Sequence, residues 1–281
     1  MAFRGDRVAL GRFRAATSAS WFRDSGPARG YLVVFPRTAV RIIHAGRSPV
    51  IADPTRVMFY NLGQEYVRER VSPEGDRCDW FSYRPEDVAE AVRRFDAGVE
   101  ARMDRPFATI DGPSDPRVYA AQRVLFERVA GGAIGPSELV VEEASLCLLD
   151  RVVARAYRWR GIDVRRPGER AARAHRALVA AVKEQLATRF SETLRLGEVA
   201  AAVGASPFHV ARVFRRETGE TIHAHLNALR LRHALERIGD VDLTTLGLDL
   251  GYSSHSHFTL AFRRAFGVPP SAMRRRLRAR A

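Results

Sequence analysis

Two stretches of this chain end in the same basic pair: Arg215-Arg216 follows PFHVARVF, and Arg263-Arg264 follows SHFTLAF. Guanidinium groups gathered on one helix face do one kind of chemistry well. They neutralise phosphate oxygens, and a single well-placed Arg pairs bidentately with guanine O6 and N7. Arg212 lies one turn before the first pair and is read as a base contact, with a phosphate contact as its alternative. Helical spacing puts Phe208, Ala211, Arg212 and Arg215 on one free surface suited to a major groove, with Val210, Val213 and Phe214 inward. Residues for catalysis or metal binding do not assemble in the same way. Cys78 and Cys147 stand far apart in apolar surroundings and read as packed thiols. His44 is the only histidine before His175. His255-x-His257 has no Cys or acidic companion, so capping or phosphate contact explains it better than a metal. The expectation is a protein that is not an enzyme and uses no metal or cofactor.

The elements that must present these arginines are helices. Leu196, Val199, Ala200 and Val203 recur at three- and four-residue spacing, which predicts a helix over 196–203 with one buried stripe. Gly204 can take the positive φ that stops it, Ser206 can cap the next helix, and Pro207 suits its first turn. Arg195 stands where Ser, Thr or Asp would cap better, so a slightly frayed start is expected. The pattern then repeats. Leu243, Leu246, Gly247, Leu250 and Gly251 match the first stripe and turn, and after one inserted residue Phe258, Phe262, Arg263, Arg264 and Gly267 match Val210, Phe214, Arg215, Arg216 and Gly219. Between the copies, Thr221–Ile238 has apolar residues on two faces, as a rod buried between two small subdomains would. Its 17 or so residues span roughly 26 Å, enough to hold two reading helices about 34 Å apart along a duplex.

The segment from about Arg173 to Arg276 resembles the DNA-binding domain of the AraC/XylS family of bacterial transcription regulators. GYSSHSHFTLAFRRAFGVPPSAMRR carries most of the likeness through Gly251-Tyr252, Phe258, Phe262, Gly267 and Pro269-Pro270. The resemblance implies a sequence-specific regulator that binds double-stranded DNA, with RNA polymerase, a small effector and a second copy as possible further partners. It assigns base contacts to Phe208, Ala211 and Arg212 on the first reading helix, and to Ser256, Thr259 and Leu260 on the second, with His255 and His257 at its start. Leu260 departs from the Arg that is common there. It can touch only a thymine methyl or an apolar edge, which implies weaker or shape-based specificity. Arg215, Arg216, Arg263, Arg264, Arg274, Arg275 and Arg276 are expected at phosphates, where they set affinity more than sequence choice. The alternative weighed is a DNA-repair alkyl-acceptor enzyme with an AraC-like domain, which needs a Cys cluster that this chain lacks.

Charge follows the same division. Of the formal net charge of +14, about +9 falls in residues 172–281, which favours a polyanion partner for that half. Nearly every basic residue is Arg, which codon bias explains; the clustering is not explained that way. The basic start with its broken apolar character is not a signal peptide, and no apolar run approaches the ~20 residues of a membrane helix. A cytoplasmic protein is expected.

Ahead of the basic half, short strand-like runs at 8–13, 31–35, 39–44, 57–61, 65–71 and 78–83 are punctuated by Gly, Pro and Asp turns. They predict a β-sandwich or barrel, similar to the family's cupin-like jelly-roll sensory domain. Trp80, Phe81, Tyr83, Phe59 and Tyr60 could line an apolar pocket for an effector or form core, and core is the reading preferred. Helices are expected at about 85–95, 117–130, 137–160 and 171–190, with a Gly/Pro-rich break at 111–116. The 137–160 helix is apolar on more than one face, which suggests packing on the β domain and on a second chain. The fold class is thus α+β in two domains: 1–165, β-rich with a helical hairpin from about 115, and 171–281, all-α. The second holds helix-turn-helix motifs at about 194–218 and 243–267 around a linker helix at 221–238. Residues 160–170 are the expected interdomain linker.

Overall fold

The computed structural model describes residues 1–23, 26–131, 137–162, 169–239 and 241–278, with side chains through 275. The chain divides into two compact units, Met1–Gly168 and Glu169–Ala281. Most of the expected linker, 163–168, lies outside the described residues.

Among the described residues the first unit holds nine strands: β1 (Phe3–Arg4), β2 (Val8–Ala15), β3 (Tyr31–Pro36), β4 (Val40–His44), β5 (Val50–Ala52), β6 (Arg56–Tyr60), β7 (Tyr66–Arg70), β8 (Asp76–Tyr83) and β9 (Asp111–Pro113). They form an antiparallel six-stranded sheet in the order β1-β2-β8-β3-β6-β9 and a three-stranded sheet in the order β5-β4-β7. Alternation along each strand decides which side chains meet. Ala15, Val34, Met58, Tyr60 and Cys78 from the large sheet share one core with Val40, Ile42 and Ala52 from the small one. The break expected at 111–116 instead contributes β9, whose Val57↔Gly112 pairing extends the large sheet. A Cβ at Gly112 would lie 2.6 Å from that of Ala156, so glycine is what lets this edge strand approach the helix behind it.

Three helices cover the opposite face: α1 (Pro85–Arg93), α2 (Pro116–Ala130) and α3 (Glu138–Trp159), with a short 3₁₀ turn at Ala97–Arg102. Asp115 caps α2 by accepting the Arg117 N–H at 2.8 Å. Tyr83 on β8 donates its hydroxyl to the Ser145 carbonyl of α3 at 2.9 Å. Phe59, Tyr60, Phe81 and Tyr83 are buried core residues. On α3, Leu139, Val141, Leu146, Leu148, Leu149, Val152, Val153 and Tyr157 are buried, while Val140 is partly exposed and Trp159 exposed.

The second unit is helical: α4 (Glu169–Thr188), α5 (Leu196–Ala202), α6 (Pro207–Thr218), α7 (Ile222–Arg237), α8 (Leu243–Asp249), α9 (His255–Phe266) and α10 (Pro270–Arg278). α10 has no counterpart in the sequence reading, which treated its arginines as a tail. Around α8 and α9, Leu231, Ala234, Ile238, Leu246, Leu250, Tyr252, Phe258 and Phe262 make one closed core. Among the described residues, no helix is long and apolar enough to cross a membrane.

Candidate nucleic-acid interface

The two helix pairs, α5–α6 and α8–α9, are built with the same local devices. Gly204 and Gly251 sit at φ +64° and +81° in the turns, where a side chain would be strained. Ser206 and Ser254 then cap α6 and α9, their hydroxyls accepting the His209 and His257 N–H groups at 3.1 Å each. At the start of α8, Asp242 accepts the Thr244 and Thr245 N–H groups at 2.9 Å. The corresponding Arg195 offers no side-chain cap to α5. The Glu198 carboxylate compensates in part, accepting the Arg195 N–H at 3.4 Å.

The outward face of α6 differs from the one read off the sequence. Phe208 is 1% exposed and Ala211 6%, so neither lies on a free surface. Both α4 and α5 pack against α6, so more of its surface is covered than one apolar stripe implies. The accessible arc runs through partly buried His209 and Arg212 and the exposed Arg215 and Arg216, and His209 is the residue the sequence reading missed. Its signal was present: it lies three residues before Arg212 and three after the Ser206 cap, on the same helix face. Arg212 Nη2 donates to His209 Nδ1 at 3.1 Å. That bond leaves the imidazole proton on Nε2 while the ring is neutral. From α4, His175 Nδ1 accepts from Arg216 Nη2, and its ring lies 5.7 Å from that of His209. Burial, then the neighbouring Arg216, holds the His175 pKa below its ordinary value. Arg216 also pairs with Glu217 at 2.6 Å.

On α9, His255, Ser256 and Leu260 are exposed, Leu260 at 49%, and Thr259 is partly exposed. Thr259 Oγ1 and His255 Nε2 lie 3.3 Å apart. His257 is turned inward: its Nδ1 meets Ser253 Oγ at 3.1 Å and its ring stands edge-on to Tyr252. Arg215, Arg263 and Arg264 are exposed and form no ion pair among the described residues. Arg274 is used differently from the phosphate contact expected of it. Its Nε donates to the Ile238 carbonyl at 2.6 Å and its Nη2 to the Val241 carbonyl, so it fastens α10 to the end of α7. Arg275 is exposed; the side chain of Arg276 lies outside the described residues.

Behind the helix pairs, α7 carries a titratable group with a large displacement. Burial, then Arg230 and His257, lowers the His223 pKa to about 4. The folded unit thus keeps this imidazole neutral, whereas the unfolded chain protonates it near 6.5. The linked stability is fully present above pH 6.5 and is lost as pH falls towards 4. The helical unit is expected to lose about 2 kcal/mol between pH 7.5 and 5, with His223→Gln flattening the slope. Urea unfolding followed at 222 nm measures this; equal midpoints at the two pH values would refute it.

Comparison with known proteins agrees with this geometry. Residues 199–276 match a family model described as a helix-turn-helix domain. The HTH-type transcriptional regulator GlxA of Rhizobium meliloti (strain 1021) is 35% identical over 104 residues, which cover 36% of this chain and 32% of GlxA. The regulatory protein SoxS of Salmonella typhimurium (strain LT2) is 29% identical over 105 residues, 37% of this chain and 98% of SoxS. Among solved structures, the C-terminal domain of AraT, a response regulator from Geobacillus stearothermophilus, is 27% identical, with a TM-score of 0.34 over 35% of this chain and 84% of that one. The match thus spans about a third of GlxA's length. These helices form a helix-turn-helix domain, and it is of the AraC/XylS type.

Proposed function

We propose that the chain is a sequence-specific, double-stranded-DNA-binding transcription regulator of the AraC/XylS type. The observation that carries this reading is the pair of capped helices α6 and α9, each exposing arginines on one side and burying phenylalanines on the other. Arg212 supplies a base contact to guanine, with His209 beside it on the same face. Arg215, Arg216, Arg263, Arg264 and Arg275 meet phosphates. Ser256, Thr259 and Leu260, with His255 at the helix start, read the second half-site, where Leu260 limits discrimination to methyl contact or shape. The first unit, a β-sandwich read as cupin-like, serves as the control domain. Small-molecule binding, contact with RNA polymerase and self-association are the routes by which it would act.

The alkyl-acceptor alternative needs an accessible thiolate. Cys78 is 7% exposed and burial raises its thiol pKa well above the ordinary value, which leaves it a poor nucleophile.

Selection of bound duplexes from a random pool by the full chain, followed by fluorescence anisotropy, tests the proposal. Arg212→Ala is expected to cost about 1–3 kcal/mol on the selected duplex and to relax preference at one base pair. An equal loss on every duplex would make Arg212 a phosphate contact. Absence of any preferred sequence would refute the regulator reading.

A further inference from the structure

A cavity of about 400 Å³ opens in the first unit, with none of the aromatic cluster named above among its lining residues. It is walled by Arg47 in the turn after β4, Phe95 and Asp96 beyond α1, and Tyr157, Arg160 and Ile162 at the end of α3. Two features of this wall are left unmet by the protein itself, and a third suits an apolar ligand body.

The first is charge. Asp96 is paired with Arg102, and Arg160 with Asp111 at 3.0 Å. Arg47 is exposed and has no carboxylate within ion-pair reach among the described residues. Arg56 shares Asp111 with Arg160, at 2.9 Å, so with Arg47 the wall carries an excess of positive charge. The second is a hydrogen bond. Tyr157 is 5% exposed, and its buried hydroxyl has no partner among the described residues. Burial, then nearby Asp96, pushes its pKa up to about 12, so it keeps its proton and remains a donor at neutral pH. A buried polar group without a partner is costly and calls for explanation. The third is an apolar wall, since Phe95 stacks on Tyr157 with ring centres 5.0 Å apart.

We propose that this cavity binds a small organic carboxylate with an apolar, ring-sized body. The carboxylate pairs with Arg47, a ligand oxygen accepts from the Tyr157 hydroxyl, and the body lies against Phe95. The volume lies within the range of small-molecule sites, and a few convergent polar groups on an apolar wall are their usual make-up. Position gives the site a consequence. Arg160 and Ile162 lie directly before residues 163–168, which lead into the DNA-binding unit, so an occupied cavity braces the end of α3 where the chain leaves the first unit. The regulatory consequence rests on the function proposed above; the binding event does not.

The full chain is titrated calorimetrically with 3-phenylpropionate and with its neutral analogue 3-phenylpropanamide. The carboxylate is expected to bind one per chain and the amide about tenfold more weakly. Arg47→Ala is expected to lose about tenfold for the carboxylate alone, and Tyr157→Phe to weaken it severalfold, with the tryptophan-reported unfolding midpoint of each variant unchanged. No heat at millimolar carboxylate, equal binding of acid and amide, or full binding by Arg47→Ala would each overturn the proposal. The same preparations are assayed for duplex preference. Duplex preference without carboxylate binding removes the cavity proposal alone, and carboxylate binding without duplex preference removes the regulator reading alone.

Discussion

Replacing Arg230 with alanine is expected to destabilise the helical unit by about 3–5 kcal/mol. Arg230 projects from α7 and has backbone oxygens as its partners. Its Nε donates to the Phe190 carbonyl at 2.7 Å, Nη2 to the Glu192 carbonyl at 2.7 Å and Nη1 to the Gly251 carbonyl at 3.0 Å. The guanidinium carbon also lies 5.7 Å from the centre of the Tyr252 ring. One side chain thus ties the segment after α4 to the turn between α8 and α9. Alanine would strand three acceptors at once, each worth about 1.5–3 kcal/mol when bonded to a charge and not simply additive. Lysine cannot spread one ammonium over three divergent carbonyls, so Arg230→Lys should fall between. All three tryptophans, Trp21, Trp80 and Trp159, lie in the first unit. The variant should therefore shift the urea transition at 222 nm and leave the fluorescence transition where it was. Coincident, unshifted transitions would show that these bonds do not hold the unit together.

Asp79→Ala should produce the converse, a loss of about 3–5 kcal/mol seen in tryptophan fluorescence. The Asp79 side chain on β8 is fully buried, and three arginines converge on it: Arg123 of α2 at 2.8 Å, Arg12 of β2 at 3.3 Å and Arg37 at 3.8 Å. Glu127 on α2 closes the group, receiving Arg123 at 2.7 Å and Arg12 at 3.0 Å. The cluster clamps α2 against the large sheet. Without its central carboxylate, three guanidinium groups would face one another with a single half-exposed anion among them. That uncompensated charge, more than the lost attraction, makes the change expensive. Asp79→Asn keeps an acceptor in place and should cost less. A variant with wild-type unfolding would mean that water already screens the cluster.

What the sequence by itself determined is whatever depends on neighbours close along the chain. The stripe Leu196, Val199, Ala200, the turn glycines Gly204 and Gly251, and the caps Ser206 and Ser254 act within four residues of themselves, and each is where its local chemistry requires. The strand runs were readable for the same reason, since alternation is a property of consecutive residues. The short β5 and β9 were not, because three residues carry too little pattern and become strands only by pairing with β4 and β6. Tertiary structure alone decided which face of α6 stays open. Periodicity reports that a helix has an apolar side, but the width of that side depends on how many neighbours cover it. α6 has both α5 and α4, which begins some forty residues earlier, as neighbours; Phe208 and Ala211 are buried, and His209 lies beside Arg212. The uses of Arg230 and Arg274 were hidden for a related reason. Their partners are backbone carbonyls, which carry no residue-type signature and become acceptors only when helix ends from distant parts of the chain are brought beside them.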